Sequence, residues 1–218
     1  MGKLKLLVGA VVALAVLVSA GTYVYIHYID GDPPARLTLS PQSQGTNGEV
    51  TGTWRPTAAS QVGYRVKEVL FGQHQEAVGR TNKVSGTMTI DGTTVTAVDL
   101  TVDLASVTSG ESRRDNQFRG RIMDTSSFPT ATFKLTVPLT LPATDQVSVD
   151  ATGDLTIRGR TRAVTIPLKA RRTGATVEVQ GSLPITFADW GIPNPSFGPA
   201  STEDHGELEL LVVFERAA

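Results

Sequence analysis

Between Glu49 and Arg216 apolar residues recur at every second position, and this period of two constrains the fold more than any other feature of the chain. Val62, Tyr64 and Val66 share one parity, as do Val84, Met88 and Ile90 with Gly86 between them. The same pattern runs through Val98, Leu100, Val102 and Leu104, then Phe133, Leu135 and Val137, then Val147, Val149, Ala151, Leu155 and Ile157. Three further runs follow, at Val164 to Ala170, Val177 to Phe187, and Leu208 to Phe214. Thr, Asp, Lys, Arg and Glu fill the intervening positions, as in antiparallel strands with one wet and one buried face. Asp91-Gly92, Arg158-Gly159 and Thr173-Gly174 supply hairpin-type links.

About eight amphipathic strands leave two all-β solutions, a two-sheet sandwich or a closed antiparallel barrel. The inward parity includes Gly86, Ala151, Gly153 and Gly181, and only 6% of the chain is aromatic. An eight-stranded barrel is just wide enough to be filled by side chains or to hold one ligand, and small inward residues favour the second. On alternation alone, a core filled by Val and Leu is the plainer outcome.

The first 29 residues are of another kind. Lys3 and Lys5 precede a stretch from Leu6 to Ile29 with no formally charged side chain, and Asp30 and Asp32 follow it. As a helix this stretch is about 36 Å long, against the roughly 30 Å of a hydrocarbon core. The lysines predict a cytoplasmic N-terminus, a single-pass anchor over 1–29 and everything after Asp30 outside, with Tyr23, Tyr25 and Tyr28 at the outer interface. The competing reading is a signal peptide cleaved after Ala20, which would release a secreted protein. Residues 30–48, rich in Pro, Gly, Ser, Thr and Gln, predict a flexible linker to one domain over 49–218.

Lys and Arg total 20 against 21 Asp and Glu, a formal charge of -1, so no broad nucleic-acid footprint is expected. The absence of cysteine removes disulfides, thiol catalysis and Cys-ligated zinc. His27, His74 and His205 lack paired-ligand spacing, so neither a metal nor a cofactor is expected. Glu203-Asp204-His205 is the densest titratable cluster, and it reads as a wet turn more readily than as an acid-base site. No catalytic residue is assigned.

Five stretches in order carry a more specific signal: "WRPTAASQVGYRVKE" from Trp54, the Arg114-Asp115 pair, "FPTATF" from Phe128, "GDLTIRGRTRAVTIPL" from Gly153, and "DWGI" from Asp189. In these the chain resembles the YceI family of lipocalin-like, polyisoprenoid-binding proteins, and in particular its membrane-anchored actinobacterial-type members. The resemblance implies an extended eight-stranded antiparallel barrel with a short capping helix and an apolar pocket for an isoprenoid or quinone-like chain. Many relatives carry His where this chain has Glu68 and Gln117, so no role for those imidazoles transfers.

Ser112-x-x-Asp115 predicts a capping-box-like start to a short helix, with Asp115 and Arg119 four apart and Arg114, Phe118 and Ile122 on one stripe. Phe118 and Ile122 would face the barrel as a lid, with a turn through Asp124 to Ser127. Arg113, Arg114 and Arg119 are candidate head-group contacts, against the plainer reading of solvated lid arginines. Arg158, Arg160 and Arg162 are expected on an exposed hairpin, with anionic lipid as a rival partner.

Parity and resemblance together predict an apolar lining of Tyr64, Val66, Met88, Val98, Leu100, Phe118, Phe133, Leu135, Ile157, Ile166, Phe187 and Leu210. The expected function is to bind and sequester or carry a long apolar lipid at the extracytoplasmic face of the membrane. The alternative is a cell-envelope adaptor or stress protein with a filled core, acting through protein partners. A homodimer is left open.

Overall fold

A computed structural model of the chain describes residues 2–24, 33–40, 50–70, 72–142, 146–173, 175–196, 198 and 200–217. Among them, twelve strands form one antiparallel sheet: β1 (Gly52–Pro56), β2 (Gln61–Leu70), β3 (Gln73–Thr81), β4 (Val84–Asp91), β5 (Thr94–Asp103), β6 (Thr130–Leu135), β7 (Leu139–Thr140), β8 (Gln146–Ile157), β9 (Arg160–Thr173), β10 (Thr176–Thr186), β11 (Ala200–Thr202) and β12 (His205–Arg216). β1 and β2 are two halves of one long strand, and so are β3 and β4, because β1 pairs with β4 while β2 pairs with β3. Counted this way the wall has eight staves in chain order, and β12 closes it by pairing with both β1 and β2. The first stave breaks at Ser60, whose hydroxyl accepts from the Val213 amide at 3.1 Å where β12 passes from β2 to β1.

Alternation placed most inward residues correctly, with two departures. Val95 is buried opposite Ile90 although its parity differs from that of Val98, because an irregularity in the β4–β5 register at Thr89/Ile90 shifts the phase. Val137, expected inward, is 51% exposed: β6 ends at Leu135, and the amides of Thr136 and Val137 both turn to the Thr152 carbonyl. The Arg158-Gly159 link forms the two-residue hairpin between β8 and β9, with positive φ at both residues (49° and 72°). Gly174 lies outside the described residues.

The connection from β5 to β6 caps one end. After a single 3-10 turn at Leu104–Ser106 comes α2 (Ser112–Gln117), which widens into a π-helical turn over Phe118–Ile122, where the Met123 amide bonds the Phe118 carbonyl at 2.8 Å. The wider turn sets Met123 beside Phe118 and Ile122 on the inner face, a placement that a 3.6-residue stripe does not give. The expected cap is also corrected. Glu111, one residue before Ser112, accepts from the Arg113 amide, and Asp115 reaches back to Thr108 and Ser109.

Outside the barrel, α1 (Gly2–Val24) precedes the domain with Leu7, Leu14 and Leu17 exposed. Among the described residues no helix is long and apolar enough to cross a membrane, so the transmembrane span expected over 1–29 is not supported by α1; residues 25–29 lie outside the described residues. Of the segment expected as a flexible linker, 30–32 and 41–48 lie outside the description, and 33–40 is an extended strap on the outer wall. Arg65 donates to the Pro34 carbonyl at 2.7 Å, Arg80 to the Ala35 carbonyl at 2.6 Å and Arg171 to the Ser40 carbonyl, while Glu178 accepts from the Ser40 amide and hydroxyl. Beneath the strap, Arg65 and Glu209 form a buried pair, joined by Arg80 and Glu76.

Candidate functional site

A cavity of about 260 Å³ runs inside the barrel, walled by side chains from all eight staves, among them Val66, Met88, Leu100, Leu135, Ala151, Ile166, Val179 and Leu210. The structure places Tyr64, Val66, Met88, Val98, Leu100, Phe118, Phe133, Leu135, Ile157, Ile166, Phe187 and Leu210 on its wall. Two buried apolar clusters bracket the space. One gathers Phe118, Met123, Phe187, Trp190 and Ile192 beneath the lid; the other gathers Trp54, Ile90, Val95 and Phe214 at the far end, and Phe133 packs against both. Trp54 is 1% exposed, donates its indole N–H to the Val50 carbonyl at 2.8 Å and carries the Arg216 guanidinium 5.4 Å from its ring, which fixes it in this second cluster.

At the lid end, the Tyr64 ring stacks on Phe118 with centroids 5.1 Å apart. Burial pushes the Tyr64 phenol up to about 12. The loop after β10 completes this end, and arginine-to-carbonyl bonds hold it from two sides. Arg121 of the lid donates to the carbonyls of Asn194 and Pro195, and Arg158 and Arg160 of the β8–β9 hairpin donate to those of Gly191 and Ala188. Ile192 and Pro195 of that loop and Ile122 of the lid thereby meet on the cavity wall. Sequence reasoning missed this clamp, since backbone carbonyl acceptors leave no mark in the residue pattern.

The three candidate head-group arginines stay outside the lining. Arg113 is exposed, Arg114 sits 3.7 Å from Glu68, and Arg119 donates to Asn116 at 2.9 Å. Glu68 also accepts from Gln75 at 2.6 Å. Asp115 is the buried acid of the lid: burial opposes its ionisation, but hydrogen bonds from the Ser109 and Thr108 hydroxyls and the Ser109 amide hold its carboxyl below the ordinary value. His205 is exposed between Glu203 and Asp204, away from the cavity, and His27 lies outside the described residues. Among the described residues no group of His, Cys, Asp or Glu could hold a metal ion.

The fold is shared with solved proteins. A polyisoprenoid binding domain from Saccharophagus degradans, implicated in plant cell wall breakdown, matches with a TM-score of 0.63 at 19% identity, over 77% of this chain and 99% of that one. Burkholderia cenocepacia BcnA matches with a TM-score of 0.59 at 23% identity, over 72% and 98%. By sequence, a UPF0312 protein of Pseudomonas aeruginosa strain LESB58 is 34% identical over 146 residues, covering 63% of this chain and 72% of that protein. A UPF0312 protein of Shewanella sp. strain W3-18-1 is 36% identical over 150 residues, covering 62% and 72%. The YceI-like domain model matches residues 55–214, from the first stave to the last, and by that match the chain belongs to the YceI-like domain family.

Proposed function

We propose that the barrel binds one long apolar lipid, polyisoprenoid or quinone-like, and sequesters or carries it without bond-making chemistry. The observation that carries this reading is the cavity itself, which is walled almost entirely by aliphatic and aromatic side chains. Burying about twenty hydrocarbon carbons at ~0.8 kcal/mol each yields a gross ~16 kcal/mol. Association and ordering remove ~4 to 15 kcal/mol, and micromolar binding requires about 8 kcal/mol. An apolar bore therefore supplies affinity on its own at the lower costs, and polar groups at the mouth select among head groups. The binding named for the Saccharophagus domain supports the same ligand class.

We place the domain at the extracytoplasmic face of a membrane, tethered through residues 1–29. The support is the charge order of the sequence, with Lys3 and Lys5 before the uncharged run from Leu6 to Ile29 and Asp30 and Asp32 after it. The filled-core adaptor has no comparable observation in its favour.

The test is organic extraction of the protein purified from its own membranes, followed by mass spectrometry. A stoichiometric isoprenoid or similar long-chain lipid is the expected result; a protein that is lipid-free when isolated gently, and that binds no added isoprenoid, overturns the reading. Alkaline carbonate extraction and intact mass test the tether, since a soluble chain beginning at Gly21 is the product of cleavage after Ala20.

A further inference from the structure

Large side chains stand on the inner wall of this barrel, and yet the bore is open. Part of the reason lies in glycines that face the same lumen. Tyr64 of β2 is directly paired with Gly79 of β3. A Cβ on Gly79 would lie 2.7 Å from Tyr64 Cζ and 2.9 Å from its Oη, and the nearest atoms are all of the Tyr64 side chain, none of the backbone. The phenol ring occupies the place of the missing methyl, and Phe118 of the lid stacks on that ring. Phe133 lies similarly against Gly153 and Leu168 against Gly181, with Cβ approaches of 2.6 and 2.5 Å, although there backbone carbonyls crowd the position as well.

We infer that Gly79 sets the width of the cavity at its lid end: because it has no side chain, Tyr64 lies against the wall and seats the lid through Phe118, and any side chain at 79 drives the ring off the wall into the lumen. Gly79 is thus a specificity-determining position that touches no ligand and acts through Tyr64. The ligand it admits is the long apolar chain of the proposed function, on which this inference rests for its binding arm.

The experiment uses the full chain in mild detergent with geranylgeraniol, a C20 isoprenoid alcohol, as probe, and measures amide exchange across residues 112–123 in parallel. Gly79→Ala is expected to bind the probe at least tenfold more weakly and to exchange its lid amides at least tenfold faster. In a Tyr64→Ala background, the same Gly79→Ala change is expected to alter either quantity less than twofold, because the ring it displaces is gone. Unchanged binding and exchange in Gly79→Ala, or equal losses with and without Tyr64, overturn the inference. If wild type fails to bind geranylgeraniol, that counts against the proposed lipid class, and the exchange arm still decides the role of Gly79. Should Gly79→Ala alone not fold, recovery of folding in Gly79→Ala/Tyr64→Ala supports the inference and its failure to recover overturns it.

Discussion

Replacing Asp115 by alanine removes the acceptor of three hydrogen bonds at once, two from Ser109 and one from Thr108, at a residue that is only 7% exposed. The expected cost is about 2 kcal/mol, the order for hydrogen bonds to a charged group, read as a lower urea midpoint and faster exchange in 108–122. The sign of the pH dependence follows from its lowered value: the contribution is present above the ordinary 3.8 and is lost as pH falls through the folded-state value. Tyr64 acts at the other extreme. Its phenol is raised from 10.0 to about 12, so the neutral ring stabilises the fold fully below pH 10 and that contribution fades as pH rises toward 12. The wild-type urea midpoint is therefore expected to drop across pH 10 to 12 more steeply than that of Tyr64→Phe. At this scale the sequence was half legible. Phe118 and Ile122 could be read from their stripe, whereas the role of Asp115 could not, because its partners lie six and seven residues back across a turn whose geometry no spacing rule specifies.

The strap over residues 33–40 shows why one kind of element escapes a pattern reading. It has no period, and its composition is that of a spacer; what binds it is its backbone, read by Arg65, Arg80 and Arg171. Those arginines sit on the outer parity of their strands, where charge normally means solvent. Burial under the strap separates two classes of ion pair. Glu209 is 2% exposed between Arg65 and Arg80, so Glu209→Ala leaves two guanidiniums short of a counter-charge and is expected to cost ~3 to 5 kcal/mol. Arg36, by contrast, is largely exposed where it meets Glu207, and Arg36→Ala is expected to cost less than about 1 kcal/mol. Urea unfolding of both variants checks the contrast, and similar losses in the two would show that the strap does not shield the network. The strands themselves were legible because the period-two rule has few exceptions. Val95 and Val137 escaped it where a register irregularity and a strand end interrupt the ladder.

For the molecule as a whole, alternation could not decide between a filled and a hollow core, since both present the same inward parity. The deciding quantity is volume, which depends on where glycines sit relative to large side chains across the ladder. Leu100→Trp is expected to occupy much of the bore and to reduce lipid occupancy by at least fivefold in native mass spectra, while the fold tolerates the change because the added ring enters existing space. Unchanged occupancy would place the ligand elsewhere. The closing seam carries a kinetic consequence. Trp54 pairs with Arg216 and Pro56 with Phe214, so the first and last staves meet only after nearly the whole domain has been synthesised. Until then both margins of the growing sheet expose unpaired amides and carbonyls, the condition that invites association with other chains. Refolding from urea is accordingly expected to be slow and to lose yield as protein concentration rises, and a chain shortened before Leu208 is expected to aggregate. The interval before the seam closes is also one in which a lipid could be enclosed without passing the mouth.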